Sequence, residues 1–201
     1  MHTDAAPSIA MRKAFGEALV EFGEAREDLL VLDADVGSST MSQLFAKRFP
    51  ERHYQIGIAE ANMVGTAAGL AAAGKIPFVS TFAIFAVGRA WEQVRQSLAY
   101  PKANVKVVAT RGGITVGEDG GSHQSVEDIA IMRAVPNMTV IVPADGPETA
   151  KAIRAAAAHR GPVYVRLGRN KVRTVTSTDT PFEIGKGVQL ADGTDLTFVT
   201  T

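Results

Sequence analysis

Carboxylates and arginines able to do acid–base and ligand-binding chemistry lie at the ends of short apolar runs. They are Asp33 and Asp35 after residues 29–32, Glu60 at the start of a small-residue segment, Arg111 after residues 105–110, and Arg169 after residues 163–167. Carboxylates can share protons with a bound molecule, and arginines bind anionic groups through paired N–H donors. In parallel α/β sheets, ligands bind beyond the carboxyl ends of the strands. We therefore expect a ligand site at that edge.

Two aromatic residues and a glycine-rich segment fall at the same edge, and each also has an ordinary structural explanation. Phe82 and Phe85 are three residues apart at a helix start, which suits a hydrophobic core as well as a ligand surface. Glu60 in a first helical turn would be stabilised by the helix dipole without any catalytic role. Asp119 could simply hold a turn, and His123, between Ser122 and Gln124, could be a loop residue.

Apolar runs alternate with helix-like segments along the chain. The runs predict buried strands at residues 29–32, 76–81, 105–110, 138–142 and 163–167. Helical spacing or small apolar composition predicts helices at residues 8–25, 60–73, 82–99, 125–134 and 146–159. Nearly continuous apolar strands are typical of parallel sheets covered on both faces. The alternation therefore predicts a three-layer α/β/α domain with a mainly parallel sheet.

The composition argues against several classes of function. The 201 residues are 46% hydrophobic, enough for one sizeable core, and 21 acidic residues balance 21 basic ones. This neutrality argues against a nucleic-acid partner, because phosphate binding needs clustered basic residues. The absence of cysteine removes thiol catalysis, and the four scattered histidines lack metal-ligand spacing. The sequence has no signal-like or membrane-length apolar run, so we expect a cytoplasmic protein without a membrane partner.

Changes in composition divide the chain into four parts. They are a disordered N-terminus at residues 1–7, the α/β domain at 8–170, a polar linker at 171–194, and a new strand at 195–201. We interpret that last strand as the first strand of a truncated C-terminal domain.

Three motifs occur in a characteristic order. They are Gly57-Ile58-Ala59-Glu60-Ala61-Asn62-Met63, Ser80-Thr81-Phe82-Ala83-Ile84-Phe85, and Gly117-Glu118-Asp119-Gly120-Gly121-Ser122-His123-Gln124. With Pro136-Asn137-Met138 and Pro143-Ala144-Asp145, they resemble the pyrimidine-binding domain of transketolase-like, thiamine-diphosphate-dependent enzymes. The resemblance covers about residues 8–170. It is closest to the C-terminal subunit of split transketolases, and it implies the pyrimidine module of the thiamine-diphosphate-binding fold.

The resemblance implies a role for each candidate residue. Glu60 matches the catalytic glutamate that hydrogen-bonds N1′ of the aminopyrimidine, which requires a buried carboxyl group that can share a proton. His123 matches a second catalytic residue that also contacts substrate. Phe82 and Phe85 match aromatic residues packed on the pyrimidine, and Asp35 matches a position near the thiazolium. The implied substrate-binding set is Arg12, Ser39, Arg111, Asp119, His123 and Arg169, and no residue is assigned to a metal.

The resemblance also implies a partner. Family members hold the diphosphate through a metal ion on a domain carrying Gly-Asp-Gly, a triplet that is absent from this sequence. Thiamine diphosphate would then be shared with an N-terminal diphosphate-binding subunit that holds Mg²⁺ or Ca²⁺, and the isolated chain would be inactive. We expect a homodimer of this domain.

The implied reaction is transketolase-type transfer of a two-carbon ketol unit between sugar phosphates. Two alternatives stay open. One is a condensation of pyruvate with glyceraldehyde 3-phosphate, like that of 1-deoxyxylulose-5-phosphate synthase. The other is a noncatalytic scaffold subunit that keeps the fold and has lost the reaction.

Overall fold

The structure, a computed structural model, describes residues 8–201. The residues predicted to form a disordered N-terminus, 1–7, lie outside the described residues. The strands are β1 (Ser8–Ala10), β2 (Leu29–Asp33), β3 (His53–Gln55), β4 (Ile76–Phe82), β5 (Lys106–Thr110), β6 (Thr139–Ile141), β7 (Val163–Arg166) and β8 (Lys171–Arg173). The α-helices are α1 (Met11–Ala25), α2 (Gly37–Thr40), α3 (Gln43–Arg48), α4 (Glu60–Ala72), α5 (Ala83–Gly88), α6 (Trp91–Gln93), α7 (Asp128–Arg133) and α8 (Gly146–Ala158).

Six of these strands form one sheet in the order β3-β2-β4-β5-β7-β6, and every neighbouring pair is parallel. The chain passes from β2 to β3 on one side and then returns to β4 on the other side of β2. In sheets of this kind the position of such a reversal, here at the carboxyl ends of β2 and β4, is the crevice where ligands usually bind. The predicted parallel α/β sheet is confirmed.

Side chains of each strand alternate between two helical layers, because successive residues of a strand face opposite ways. One layer, made by α1, α3 and α8, buries Phe15, Leu19, Phe45 and Ile153 against Val31, Phe78, Val108 and Val165. The other, made by α4, α5 and α7, buries Met63, Ala86 and Met132 against Leu32, Val79, Val107 and Tyr164. The predicted three-layer arrangement is confirmed.

The single helix predicted for residues 82–99 is wrong. The segment contains α5, the short α6 and a π-helical turn at Val94–Ala99. Gly88, the last residue of α5, weakens a helix interior by about 1 kcal/mol relative to alanine, which favours a break there. Strand β3 was not predicted, because His53, Tyr54 and Gln55 form a three-residue polar strand without an apolar run.

The linker predicted for residues 171–194 is wrong in its first part. Strand β8 pairs antiparallel with β1, with Ser8 opposite Arg173. Asp145 then accepts hydrogen bonds from the amides of Val175 and Thr176 and from the Thr176 hydroxyl, each at 2.7 Å. Burial acts to raise the pKa of Asp145, but these bonds and that from the Glu148 amide lower it overall. Residues 171–176 are therefore held against the domain by strand pairing and hydrogen bonds.

The strand predicted for residues 195–201 does not form in the structure, which gives this segment no strand pairing. Its apolar side chains Leu196, Phe198 and Val199 are exposed. A strand needs a neighbouring strand whose backbone groups pair with its own. The six-stranded sheet ends at β3 and β6, so residues 195–201 have no neighbour in it.

Candidate active site

Glu60 begins helix α4, and the loop after β3 carries it to the carboxyl edge of the sheet. Gly57 in this loop has a φ of +78°, a left-handed conformation that glycine adopts without steric cost. The Glu60 side chain is buried, and the residue is 3% exposed. The positive end of the helix dipole favours a carboxylate at this position.

Phe82 and Phe85 form a stacked aromatic pair next to this edge. Their ring centroids lie 5.5 Å apart with an interplanar angle of 26°. The ring of His123 meets them edge-on, at 6.0 Å from Phe82 and 5.4 Å from Phe85. The end of β4 with α5 and the glycine-rich segment 117–124 thus bring together three residues predicted to belong to one site.

Arg89, which the sequence analysis did not single out, links this aromatic pair to Glu60. Its Nη1 donates to Glu60 Oε1 at 2.8 Å, and its guanidinium carbon lies 3.9 Å from the Phe85 ring centroid. The Arg89 side chain is 48% exposed, whereas that of Glu60 is 4% exposed. The available signal was spacing, because Arg89 follows Phe85 by four residues, about one helical turn.

Arg111 packs against the other phenylalanine. Its guanidinium carbon lies 3.9 Å from the Phe82 ring centroid, and its Nε donates to Asp119. The hydrogen bond from Arg111 is the main reason why the pKa of Asp119 is lowered. Arg111 is buried with a φ of +62°, a costly conformation for a residue with a side chain. Among residues 8–201, its Nη1 has no hydrogen-bond partner.

Arg169 joins the same acidic group. Its Nη2 donates to Glu118 Oε2 at 2.7 Å, and its Nε lies 3.5 Å from Asp119 Oδ2. Two arginines of the predicted substrate-binding set therefore meet at Asp119. Each arginine is thus paired with an acidic residue of the same chain. The sequence did not reveal these pairs.

Arg12 and Ser39 also come together, as members of one predicted substrate-binding set. Arg12 lies in the first turn of α1, and its Nη1 donates to the Ser39 carbonyl oxygen at 2.9 Å. The amide of Gly168 donates to Met11 Sδ at 3.4 Å. The segments that carry Arg12 and Arg169 are therefore adjacent.

Asp35 lies in the loop after β2, with a φ of +62° and an exposed side chain. Its amide donates to Gln55 Oε1 at 2.9 Å, and the amide of Gly57 donates to the same oxygen at 2.9 Å. Gln55, another residue missed by the sequence analysis, thus connects the Asp35 loop with the loop that leads to Glu60. Nothing in its residue type distinguished it from a surface glutamine.

A buried polar cluster supports the turn that carries Arg111. Asp128 Oδ2 accepts hydrogen bonds from the Tyr164 hydroxyl at 2.7 Å and from Arg166 Nε at 3.3 Å. Burial, followed by the nearby Asp128 charge, raises the pKa of Tyr164. Arg166 lies so close to Gly112 that a Cβ there would be 2.2 Å from its Nε. The side chain therefore requires glycine at this turn.

Across residues 8–201, no group of three or more His, Asp or Glu side chains is placed to hold a metal ion. In the same part of the chain, no helix has the length and apolarity needed to cross a membrane.

A sequence model of the transketolase pyrimidine-binding domain matches residues 7–175. The chain belongs to this transketolase family. A putative transketolase C-terminal section from Methanocaldococcus jannaschii is 56% identical over 193 residues, covering 95% of this chain and 61% of that protein. A 6-deoxy-6-sulfo-D-fructose transketolase subunit from a Clostridium species is 41% identical, covering 95% of this chain and 59% of that protein. Human transketolase is 38% identical over 89% of this chain and 28% of its own length.

Solved transketolase structures share the fold. A split-gene transketolase, described as an inactive β4 tetramer, superposes with a TM-score of 0.84 at 52% identity, covering 93% of this chain and 60% of that one. Transketolase from Campylobacter jejuni gives a TM-score of 0.79 at 31% identity, with 88% and 28% of the two chains covered. The chain spans about three fifths of the length of its relatives that are sections or subunits.

Proposed function

We propose that this chain is the pyrimidine-binding half of a split transketolase that transfers a two-carbon ketol unit between sugar phosphates. The observation that carries the proposal is the buried Glu60 carboxylate, which Arg89 links to Phe85, whose ring in turn packs against Phe82 and His123. The similarity to a transketolase C-terminal section supports it.

The residues present fit the aminopyrimidine part of thiamine diphosphate. A flat heterocycle with nitrogen atoms on its edge needs an apolar face to pack on and a carboxyl group beside it. Phe85 offers the face and Glu60 the carboxyl group, and Arg89 already bridges the two. When bound, thiamine diphosphate supplies a thiazolium that acts as the electron sink for the ketol carbon. Glu60 would hold or share the proton at the ring nitrogen N1′, and His123 would contact a substrate oxygen. Asp35 would lie near the thiazolium side.

The arginines suit a phosphorylated substrate. Arg111 and Arg169 meet at Asp119, and the adjoining segment carries Arg12 beside Ser39. The Arg111 Nη1, without a hydrogen-bond partner among the described residues, is a donor available to an anion. Asp119 would bind substrate hydroxyl groups while it balances the charge of the two arginines.

The diphosphate half of the site would come from an N-terminal transketolase subunit that holds Mg²⁺ or Ca²⁺. The sequence lacks the Gly-Asp-Gly triplet expected of such a domain. The related split-gene transketolase is described as an inactive β4 tetramer. We therefore expect this chain to self-associate, at least as a homodimer, and to be inactive without its partner.

The test is to mix the chain with the candidate diphosphate-binding subunit, thiamine diphosphate and Mg²⁺, and to assay two reactions. We expect ketol transfer from a ketose phosphate to an aldose, whereas turnover of pyruvate with glyceraldehyde 3-phosphate would indicate the deoxyxylulose-phosphate synthase type. Glu60→Gln should abolish transfer without unfolding the chain, while Glu92→Gln, an exposed carboxylate on α6, should retain it. Binding of the two subunits without either reaction would support the scaffold alternative instead.

A further inference from the structure

We propose that Arg89 competes with the aminopyrimidine for Glu60 and for the face of Phe85, and so acts as a positioning residue for the catalytic carboxylate. This inference rests on the proposed function, because it concerns how the same carboxylate receives its ligand. In the structure the guanidinium holds both contacts at once, with Nη1 2.8 Å from Glu60 Oε1 and Cζ 3.9 Å from the Phe85 ring centroid.

The guanidinium resembles an aminopyrimidine in three properties that matter here. It is planar, it stacks on an aromatic face, and its edge carries N–H groups that donate to a carboxylate. A ring packed on Phe85 with its nitrogen edge toward Glu60 would need the space and the acceptor that Arg89 uses. Arg89 and the ring therefore cannot both make these contacts.

The different burial of Glu60 and Arg89 explains why a ligand can replace Arg89 as the partner of Glu60. Glu60 is 4% exposed at its side chain, and a buried carboxylate left without a partner is strongly unfavourable. Arg89 is 48% exposed and follows the last residue of α5, so its head can return to water at small cost. Next to it, a Cβ added at Gly88 would meet no atom within 4 Å, which leaves room for such a movement.

This arrangement gives Arg89 a definite task. It keeps the Glu60 carboxylate paired and directed toward Phe85, and it is displaced by a flat ligand that offers an equivalent nitrogen edge. A lysine at this position would keep the charge but lose the planar contact with Phe85. The affinity for the pyrimidine would thus be set partly by a side chain that is not itself a ligand of the cofactor.

The experiment uses thiamine, which carries the pyrimidine but no diphosphate, titrated into the full chain. Calorimetry gives the dissociation constant, and the emission of Trp91 reports the movement. Trp91 is the only tryptophan in the sequence, lies two residues after Arg89 and is 38% exposed. Far-UV circular dichroism confirms that each variant is folded.

We expect Arg89→Ala to bind thiamine about tenfold more tightly than the wild type, the change that follows when one charge-assisted contact no longer competes. Arg89→Lys should fall between them. Thiamine should shift the Trp91 emission of the wild type more than that of Arg89→Ala. The matched control is Arg95→Ala, which removes an exposed arginine four residues beyond Trp91 and should bind like the wild type.

Two contrary outcomes have different meanings. If Arg89→Ala binds thiamine equally well or more weakly than the wild type does, the competition is overturned while the pyrimidine site stands. If neither the wild type nor any Arg89 variant binds millimolar thiamine, the proposed pyrimidine site is itself overturned, and the role of Arg89 with it.

Discussion

Gln55 and Asp33 end two adjacent parallel strands and are joined by a hydrogen bond of 2.9 Å from Gln55 Nε2 to Asp33 Oδ1. The other oxygen of Asp33 accepts a bond from the Ser42 hydroxyl at 2.8 Å. Because Gln55 Oε1 also accepts the amides of Asp35 and Gly57, this single amide group connects a buried carboxylate to both loops at the crevice. The position of Glu60, three residues beyond Gly57, depends on this connection.

Gln55→Ala should loosen the loop before Glu60. The change removes the acceptor of two backbone amides and a donor to Asp33, so we expect a loss of roughly 1–2 kcal/mol in the free energy of unfolding. Hydrogen exchange at the Gly57 amide should become faster. Urea denaturation and amide exchange measure the two effects, with Gln96→Ala, an exposed glutamine, as the control. Unchanged exchange at Gly57 would contradict this role.

Arg111→Gln should make folding stability less sensitive to acid. Arg111 lowers the pKa of Asp119 below its ordinary value of 3.8, so the pair contributes stability above that pH and loses it as the pH falls. The stability difference between wild type and variant should therefore narrow from about pH 5 to pH 3. Denaturant titrations at several pH values measure this. A constant difference across that range would show that the two side chains are not coupled.

Gly112→Ala should distort the turn that carries Arg111. Its Cβ would lie 2.2 Å from Arg166 Nε and 2.8 Å from Arg166 Cγ, which forces Arg166 away from Asp128. We expect a destabilisation of about 2 kcal/mol or more, typical of overpacking combined with a broken buried pair. Gly121→Ala is the matched control, since its Cβ would meet no atom within 4 Å. Equal melting temperatures for the two variants would rule out the clash.

Lys106→Met should remove a pH dependence at the opposite end of the sheet. Lys106 is fully buried, and its Nζ donates to Asn104 Oδ1 and to the carbonyls of His159 and Gly161 at 2.6–2.7 Å. Burial lowers its pKa from 10.5 to about 7. Between these values the unfolded chain holds a proton that the folded chain has released, so stability rises with pH.

The expected slope for this lysine is about 1.4 kcal/mol per pH unit, from about pH 7 to pH 10. Unfolding free energies of the wild type should show it, those of Lys106→Met should not, and those of Lys75→Met, an exposed control, should resemble the wild type. Parallel curves for the wild type and Lys106→Met would mean that the three acceptors keep the ammonium charged.

Arg169→Ala should weaken binding of phosphorylated substrates selectively in the reconstituted enzyme. Because a phosphate dianion gains most from a charged arginine, we expect KM to rise roughly tenfold or more for a sugar phosphate. An unphosphorylated analogue should show little change. Steady-state kinetics with both substrates provide the comparison, and an equal effect on both would remove Arg169 from the phosphate subsite.

The sequence predicted the site residues that belong to recognisable sequence motifs. Phe82 ends β4, Phe85 lies in the helix that follows it, and His123 lies after β5, so these rings meet because β4 and β5 are neighbouring parallel strands that apolar runs predict. Glu60 follows β3, which has no apolar run, and its place was predicted from its motif alone. The rings of Phe85 and His123 lie 5.4 Å apart although 38 positions separate them in the sequence.

The missed features depend on geometry that no local pattern encodes. Arg89 and Gln55 acquire their roles from partners 29 and 20–22 residues away in the sequence. Strand β8 is short and polar, and it forms because β1 lies beside it rather than because of its own residues. The acidic partners of Arg111 and Arg169 likewise come from a loop whose path cannot be deduced from its glycines.

The pairing of β1 with β8 places residue 8 directly opposite residue 173, so the polypeptide enters and leaves the domain at one point. A unit with adjacent entry and exit points can be inserted into a longer protein, or encoded by its own gene, without rearranging its core. Fusion and fission of genes would then change the neighbours of the crevice while leaving the crevice itself intact. The β1–β8 pair therefore lets the pyrimidine-binding domain occur in different polypeptide contexts with the same core.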